Sequence, residues 1–423
     1  MDKLLVTGGN RLEGKINISG SKNASLPILA AALLTEEPCI IRRVPDVSDT
    51  NYMLQILRAL GADVERSSGT VRIVAKNIIP EAPYDLVRRM RASICVMGPL
   101  LSRLGRASVS LPGGCIIGDR PVDLHLKGLQ GLGANIDVEG GNMLMEAGDG
   151  LIGAEIDMRG KHGPTVLGTD NLMMAAVLAE GVTVIESAAS EPEVVDLANF
   201  LISLGAKIHG AGTRRIEIEG VPSLGGTDFT VIPDRIEAGT YMVAAAMMGN
   251  GVTLNRVNRT HLTSTTEVLL ESGHLVDFNA RGTSVTVTPG EAPQGCNITT
   301  APFPGFPTDM QAQFTAMLAT TPGLSVIEDT IFPQRFMHCA EMARMGAEID
   351  VDSGRAIVQG VESLSAAPVM ASDLRASAAL VLAALGAKGT TEINRLYHID
   401  RGYEHIDEKL LLLGADVERV RSR

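Results

Sequence analysis

Bulky aromatic side chains are almost missing from this sequence, which has no tryptophan and only 3% aromatic residues among 423. The interior must therefore be filled by Ala, Leu, Val, Ile and Met, which favours many small, close-packed units over one bulky core. A content of 45% hydrophobic and 20% charged residues is typical of a soluble globular protein. At this length we expect two domains of about 200 residues each.

Disulfide and membrane signals are also missing. The five cysteines are odd in number, widely spaced and without a CxxC pair, which indicates free thiols in a reducing compartment. The longest uncharged apolar run, near 376–387, is much shorter than the roughly 20 residues that a membrane-spanning helix needs. The start of the chain, MDKLLVTGG, has no signal-peptide pattern. We therefore expect a cytoplasmic protein without a membrane partner.

Positive charge is in deficit, with 37 Lys and Arg against 49 Asp and Glu and a net charge of −12. This balance argues against a nucleic-acid partner, and the basic cluster at 88–91 has no interleaved aromatic residues. The eight histidines show no HExxH motif or paired ligand spacing, so no metal site is expected. An anionic ligand would have to be held by a local group of basic side chains.

The clearest positive signal is a phrase that occurs six times, at spacings of 68 to 73 residues. It reads LRALGADVE, LQGLGANID, LISLGAKIH, LLESGHLVD, MARMGAEID and LLLLGADVE. The glycines of the phrase are Gly61, Gly133, Gly205, Gly273, Gly346 and Gly414. Each predicts the end of a helix at a left-handed residue, followed by a strand.

A second phrase occurs earlier in each unit, where polar residues lead into an Ala/Leu/Met run with almost no charge. It reads SKNASLPILAAALL, MRASICVMGPLL, GTDNLMMAAVLA, DRIEAGTYMVAAA, PTDMQAQFTAML and SDLRASAALVLAALG. The polar residues predict a capped helix start in all six units. A helix that is apolar all round is expected to be buried. With the β-rich stretches around them, the unit reads as strand, buried helix, strand, second helix and two strands.

Six such units favour two closed domains of three units each over a solenoid, in which each repeat contacts only its neighbours. The last unit stops one strand short, and the chain starts with a spare strand pair, KLLVTGG and GKINISG. The two ends are therefore expected to complete each other. The predicted domains are 22–231, and 1–21 together with 232–423.

The second phrase places polar residues at helix N-termini, where free N–H groups attract anions. At this position the six units carry Lys22, Arg91, Asp170 with Asn171, Asp234 with Arg235, Asp309 and Arg375. If the helices point toward one cleft, these residues form a cationic pocket for a substrate with phosphate and carboxylate groups. The alternative is that the phrase only caps helices.

The segment SLPGGCIIGDRPVDLHL, at 110–126, presents Cys115 on a glycine-rich turn. Arg120 and Lys127 are close to this thiol in sequence, which favours an acidic or nucleophilic cysteine. No Lys-Ser/Thr pair follows the glycines, so the loop is not typical of nucleoside triphosphate binding.

Nine segments carry a family resemblance: GSKNASLP, MRASI, LPGGCxIGxRPVDLH, EPEVVDLANFL, PDRIEAGT, FPTDMQAQF, RFMH, DLRASAALV and YHIDRGYE. Together they make the chain, from 1 to about 421, resemble the UDP-N-acetylglucosamine 1-carboxyvinyltransferases of the enolpyruvyl transferase family. The resemblance implies an α/β fold of two inside-out α/β barrels built from six βαβαββ repeats. It implies transfer of enolpyruvyl from phosphoenolpyruvate to the 3′-hydroxyl of UDP-N-acetylglucosamine, the first committed step of peptidoglycan synthesis and a fosfomycin target. It also implies that no cofactor is needed.

The resemblance further implies which residues act. The catalytic residues would be Cys115 as general acid, Asp309 as general base, Lys22 and Arg401. The phosphoenolpyruvate-binding residues would be Lys22, Asn23, Arg120, Arg375 and Arg401. The residues that bind UDP-N-acetylglucosamine would be Asn23, Arg91, Arg120, Pro121, Val122, Asp123, Leu124, Thr165, Val166, Asp309 and Ile331. The length of the segment RGKHGPTVLGTDN leaves open whether Lys161 or another residue meets the diphosphate.

Two other functions compete with this one. A shikimate-pathway enolpyruvyl transferase would use the same donor with 3-phosphoshikimate as acceptor, and it would not need Cys115. A repeat scaffold that merely binds acidic ligands would leave the thiol loop and the motif around Asp309 unexplained.

Overall fold

The computed structural model describes residues 2–111, 122–161 and 163–421. The contacts within the chain divide these residues into two compact units. The first consists of 2–19 and 233–421, and the second of 20–111, 122–161 and 163–232. Each unit has its own hydrophobic core and contains three repeats.

Each of the six repeats in the described chain contains one buried helix, called here the inner helix. The inner helices are Lys22–Ala31, Met97–Leu104, Val166–Ala176, Arg235–Met248, Gln311–Leu318 and Leu374–Gly386. In the last of them, every residue from Arg375 to Leu385 is buried. Small residues let these helices approach closely: a Cβ added to Gly98 would lie 2.4 Å from the carbonyl oxygen of Asn171. The predicted buried helices are confirmed.

The inner helices start in two ways. Four begin at a residue whose side-chain oxygen accepts an N–H of the first turn, namely Ser21, Thr165, Asp234 and Asp373. The other two starts follow Met90 and Pro307, which cannot accept a hydrogen bond in this way. There the chain first forms 3₁₀ turns, Arg91–Val96 and Thr308–Met310. The expectation of a capped start in all six repeats is therefore wrong for these two.

A second helix, called here the outer helix, precedes each glycine of the sixfold phrase. The outer helices are Ser48–Ala59, Asp123–Gly131, Pro192–Ser203, Thr263–Glu271, Met337–Arg344 and Ile406–Leu412. All six glycines have φ between 88° and 105°, the left-handed conformation. The prediction that helices end at these glycines is confirmed. The remaining short helical turns are Ala32–Leu34, Tyr84–Val87, Arg259–His261 and Leu396–Arg401.

Each repeat also has a sheet. In five of these sheets one strand runs parallel to its neighbour and the other pairs are antiparallel, and in the three-stranded sheet of the second repeat both described pairs are antiparallel. In the order of pairing, the first three sheets of the described chain are Thr227–Thr230, Cys39–Arg42, Thr70–Val74, Asp63–Ser67; Arg106–Ser110, Asn142–Glu146, Asn135–Glu139; and Glu155–Asp157, Val182–Glu186, Arg215–Glu219, Lys207–His209. The other three are Lys15–Asn17, Val252–Asn255, Ser284–Thr288, Leu275–Phe278; Ile298–Thr299, Leu324–Glu328, Arg355–Gln359, Glu348–Asp352; and Pro368–Met370, Thr390–Asn394, Lys3–Thr7, Asp416–Val420. A two-stranded ladder joins Arg159–Gly160 to Gly163–Pro164.

The two ends of the chain share the last sheet. The strand Lys3–Thr7 lies between Thr390–Asn394 and Asp416–Val420, with Leu4 opposite Ile393 on one side and Arg419 on the other. This strand supplies the position that the sixth repeat lacks in its own sequence. No helix within the described ranges is long and apolar enough to cross a membrane.

Candidate active site

Lys22 is the first residue of an inner helix, one position after the Ser21 cap. Its Nζ lies 2.7 Å from Oδ2 of Asp49, which is at the start of the neighbouring outer helix. The Asp49 side chain is 1% exposed and that of Lys22 is 12% exposed. This carboxylate fixes the ammonium group at the helix N-terminus, where an anion is favoured. Asp49 was not predicted from the sequence.

Asn171 and His125 form a buried pair, and the positive charge of Arg91 acts on the histidine. Asn171 is fully buried: its Nδ2 donates to the carbonyl oxygen of Ile94 at 3.0 Å, and it lies 3.0 Å from Nδ1 of His125. Burial, and then the positive charge of Arg91, lower the pKa of His125 to about 3, so this ring is neutral at pH 7. Arg91 remains half-buried at the start of its 3₁₀ turn.

Asp170 and Asn171 were expected to face a ligand pocket, and this expectation is wrong. Asp170 is 1% exposed. Burial, and then the charges of Glu191 and Glu193, raise its pKa well above the usual value, which favours the protonated form. Asn171 links two inner helices, because its Oδ1 accepts from the backbone N–H of Gly98 at 3.0 Å. Asn171 therefore ties the core together, and Asp170 is buried within the same core.

The predicted nucleotide-side residues lie on two adjacent elements. Val122 is the residue before the outer helix that starts with Asp123 and Leu124. Thr165 caps the inner helix that starts with Val166, and its Oγ1 accepts from the N–H of Gly168 at 3.2 Å. The ladder before Thr165 packs on Leu124, because a Cβ added to Gly160 would lie 2.9 Å from Leu124 Cδ1. The exposed Lys161 is at the turn of this ladder.

In the other unit, Asp309 is held between two arginines. Its Oδ2 lies 2.9 Å from Nη2 of Arg375, and its Oδ1 lies 2.7 Å from Nη1 of Arg335. The arginine side chains are only 4% and 7% exposed, whereas that of Asp309 is 24% exposed. Burial alone would raise the pKa of Asp309, but the charges and hydrogen bonds of Arg375 and Arg335 hold it well below the usual value. Asp309 is therefore an anion at neutral pH, with one edge accessible to a ligand.

The buried carboxylate of Asp329 contacts the residues around Asp309. Its Oδ1 accepts from the N–H of Ile331 at 3.0 Å, and its Oδ2 accepts from the hydroxyl of Thr308 at 2.6 Å. Thr308 directly precedes Asp309 in the chain. Asp329 therefore links the backbone at Ile331 to the residue next to Asp309. The sequence did not single out Asp329 or Arg335, although Arg335 lies in the phrase RFMH.

Arg401 is half-buried at the end of the 3₁₀ turn Leu396–Arg401. The next residue, Gly402, packs on Leu374, because a Cβ added there would lie 2.7 Å from Leu374 Cδ2. This contact brings the Arg401 segment against the start of the inner helix that carries Arg375. Asn23 follows Lys22 in its helix and is half-buried. Their ligand roles stay predictions.

Cys115, Arg120 and Pro121 lie outside the described residues, and their roles also stay predictions. The other four cysteines, Cys39, Cys95, Cys296 and Cys339, are free and buried. Burial raises the pKa of each thiol, to about 12 for Cys39 and Cys339. In the described part of the chain no group of three or more His, Cys, Asp or Glu residues could hold a metal ion.

The family model described as EPSP synthase (3-phosphoshikimate 1-carboxyvinyltransferase) matches residues 6–410. The UDP-N-acetylglucosamine 1-carboxyvinyltransferase of Akkermansia muciniphila is 69% identical over 420 residues, covering 99% of each chain. The protein with the same name from Methylacidiphilum infernorum is 56% identical over 423 residues, covering 100% of each chain.

Solved structures share the fold. The enolpyruvyl transferase NikO from Streptomyces tendae superposes with a TM-score of 0.89 at 28% identity, covering 100% of this chain and 99% of that one. EPSP synthase from Acinetobacter baumannii superposes with a TM-score of 0.76 at 19% identity, covering 100% of both chains. These neighbours confirm the two-domain α/β fold class that the sequence predicts.

Proposed function

We propose the function from one premise: the chain belongs to the EPSP synthase family of enolpyruvyl transferases. It transfers the enolpyruvyl group of phosphoenolpyruvate to the 3′-hydroxyl of UDP-N-acetylglucosamine and releases inorganic phosphate. The observation that carries this choice of acceptor is the 69% identity, over 99% of both chains, to the Akkermansia muciniphila UDP-N-acetylglucosamine 1-carboxyvinyltransferase. The reaction is the first committed step of peptidoglycan synthesis.

The reaction proceeds by addition and then elimination. In the addition, the 3′-oxygen of the sugar forms a bond to C2 of phosphoenolpyruvate while C3 gains a proton and becomes a methyl group. In the elimination, the C2–O bond to phosphate breaks, and the methyl group loses a proton to restore the double bond. One group must therefore remove the hydroxyl proton and another must protonate C3.

Asp309 is the proposed base for the hydroxyl proton. Burial would raise its pKa, but Arg375 and Arg335 outweigh burial and depress it, so the carboxylate is ionised but weakly basic. When the anionic donor draws the Arg375 guanidinium toward itself, the pair with Asp309 weakens and the pKa of the carboxylate rises. The base thus becomes stronger when the donor is present, which couples deprotonation to the ternary complex.

Cys115 is the proposed acid that protonates C3, on the argument from its glycine-rich loop and the family resemblance. The four described cysteines do not compete for this role, because each is buried and its thiol pKa is raised. A buried thiol with a raised pKa neither ionises at neutral pH nor reaches a substrate. Free, reduced cysteines fit a reducing compartment, and we propose a cytoplasmic location.

Basic residues at helix N-termini are proposed to bind phosphoenolpyruvate. Lys22 and Arg375 both lie within the first two residues of an inner helix, where free N–H groups add to their positive charge. Together with Arg120 and Arg401, they meet the phosphate and carboxylate of phosphoenolpyruvate and the charge that develops in the tetrahedral intermediate. The sugar nucleotide is proposed to bind to Asn23, Arg91, residues 120–124, Thr165, Val166, Asp309 and Ile331.

Phosphate release with each candidate acceptor tests this function. Purified protein with phosphoenolpyruvate should release phosphate rapidly with UDP-N-acetylglucosamine and only at background rate with 3-phosphoshikimate. Rapid release with 3-phosphoshikimate instead would favour the shikimate-pathway enzyme. No release with either acceptor, from protein shown to be folded, would favour a non-enzymatic scaffold.

A further inference from the structure

A buried hydrogen-bond network contacts Arg375 and Asp309. Its three members are Thr240, Gln313 and Tyr403, and each is at most 2% exposed. They come from the fourth, fifth and sixth repeats of the chain. The inner helices of these repeats pack against one another in the core of the same unit. The network therefore joins three repeats through residues that are 73 and 90 positions apart in the sequence. Thr240 and Gln313 lie in inner helices, and Tyr403 follows the 3₁₀ turn Leu396–Arg401.

Tyr403 faces the guanidinium group of Arg375. The central carbon of Arg375 lies 5.5 Å from the centroid of the Tyr403 ring, within the range of a cation–π contact. The same guanidinium group also contacts the Asp309 carboxylate, at 2.9 Å. Arg375 therefore contacts both an aromatic ring and an anion.

Gln313 connects Tyr403 to the backbone of Asp309. Its Nε2 donates to the carbonyl oxygen of Asp309 at 2.9 Å, and it lies 3.2 Å from the Tyr403 hydroxyl and 3.1 Å from Thr240 Oγ1. One amide group therefore contacts both the residue that carries the carboxylate and the residue that supports the arginine.

The direction of each bond follows from counting protons. Thr240 has one hydroxyl proton, and it donates this proton to the carbonyl oxygen of Ile236 at 2.8 Å. In its 2.8 Å contact with Tyr403 the threonine oxygen must then accept, so the Tyr403 hydroxyl is the donor. The lone pairs of the Tyr403 oxygen are left to accept from Gln313. Burial raises the pKa of Tyr403, which keeps this hydroxyl protonated at neutral pH.

We propose that Tyr403 is a positioning residue that aims the guanidinium group of Arg375 at the anionic donor, and that Thr240 and Gln313 lock its ring in place. Tyr403 is buried behind Arg375, so its effect passes through that arginine. This role rests on the proposed function, in which Arg375 binds phosphoenolpyruvate.

The test compares two substitutions at one position by steady-state kinetics with both substrates. Tyr403→Phe keeps the ring and removes the hydroxyl, and we expect the KM for phosphoenolpyruvate to rise roughly threefold. Tyr403→Leu also removes the aromatic ring, and we expect a rise of roughly tenfold or more. The KM for UDP-N-acetylglucosamine should stay within about twofold in both variants, because Tyr403 packs on the donor-binding Arg375 and Gln313 contacts Asp309 at its backbone carbonyl oxygen rather than at the carboxylate. The matched controls are Tyr397→Phe and Tyr397→Leu, at a tyrosine that is 50% exposed in the same segment; both should leave the two KM values unchanged.

A double-mutant cycle tests the lock. Thr240→Val removes the acceptor of the Tyr403 hydroxyl, so the combination with Tyr403→Phe should be no worse than the poorer single variant. If the rise in the KM for phosphoenolpyruvate in the double variant equals the product of the rises in the two single variants, the proposed hydrogen-bond network is wrong. An unchanged KM for phosphoenolpyruvate in both Tyr403 variants, or equal rises in both KM values, would overturn the positioning role. These results require an active wild-type enzyme; a wild type without enolpyruvyl transfer would instead contradict the proposed function.

Discussion

Asp196 gives the sharpest prediction of how stability depends on pH. It lies on the outer helix Pro192–Ser203 and is 4% exposed, and its Oδ2 accepts from the backbone N–H of Ile232 at 3.1 Å. Burial raises its pKa to about 7, against partial compensation by the Ile232 hydrogen bond and Arg43, with Glu193 raising it further. The folded unit of 20–232 therefore binds a proton at Asp196 more tightly than the unfolded chain does.

The sign and size of the effect follow from this difference. A carboxyl group whose pKa is raised from 3.8 to about 7 stabilises the fold fully below pH 3.8, and that stabilisation is lost as the pH rises through 7. About three pKa units at ~1.4 kcal/mol each give a loss of roughly 4 kcal/mol. Of this, roughly 3 kcal/mol should be lost between about pH 5 and pH 8.5.

The test is urea unfolding of the wild type and Asp196→Asn across that pH range. Asparagine keeps an oxygen for the Ile232 N–H but cannot ionise, so the variant should lack this part of the pH dependence. The quantity compared is the change in the free energy of unfolding with pH. A packing cost of the amide that is the same at every pH does not affect this slope. The control is Asp228→Asn, since Asp228 is an exposed partner of Arg42 with a lowered pKa and titrates below this range. Parallel loss of stability in the wild type and Asp196→Asn would refute the reasoning.

Two further outcomes concern the site. An epoxide phosphonate that mimics the donor should alkylate Cys115 in the native protein and leave the four buried cysteines unmodified, because burial raises the pKa of each of them; peptide mass mapping that finds the label elsewhere first would contradict the site. Asp309→Asn should lower kcat by roughly 100-fold or more through loss of the base. It should also destabilise its unit by about 3 kcal/mol, because Arg335 and Arg375 lose their shared anion; a variant with wild-type kcat would exclude Asp309 as the base.

The repeats were predictable because their signals are local. The left-handed glycine at the end of each outer helix and the uncharged inner helix are both determined by residues adjacent in sequence. The 3₁₀ starts after Met90 and Pro307 were not predicted, although the missing capping oxygens were visible in the sequence. At these two starts the residue before the helix, and not the period of the repeat, determines how the helix begins.

The candidate site was only partly predictable because its partners come from distant segments. Asp309 and Arg375 were proposed from the repeat, but the second arginine and the buried Asp329 depend on contacts that no local motif encodes. The same limit explains the error at Asp170 and Asn171. The repeated phrase aligns them with Lys22, the first residue of its inner helix, but the inner helix of their repeat already starts at Val166. Asp170 and Asn171 therefore lie one turn further into the helix, where they are buried.

The central claim is that the chain breaks the carbon–oxygen bond of phosphoenolpyruvate by addition and elimination. The most direct measurement is the reaction of phosphoenolpyruvate with UDP-N-acetylglucosamine in D₂O, followed by NMR and mass spectrometry of the product. We expect an enolpyruvyl ether at the 3′-oxygen, with deuterium in its vinyl methylene group, because C3 passes through a methyl group. A phosphorylated sugar nucleotide, or an enolpyruvyl product without deuterium at the methylene carbon, would contradict the account.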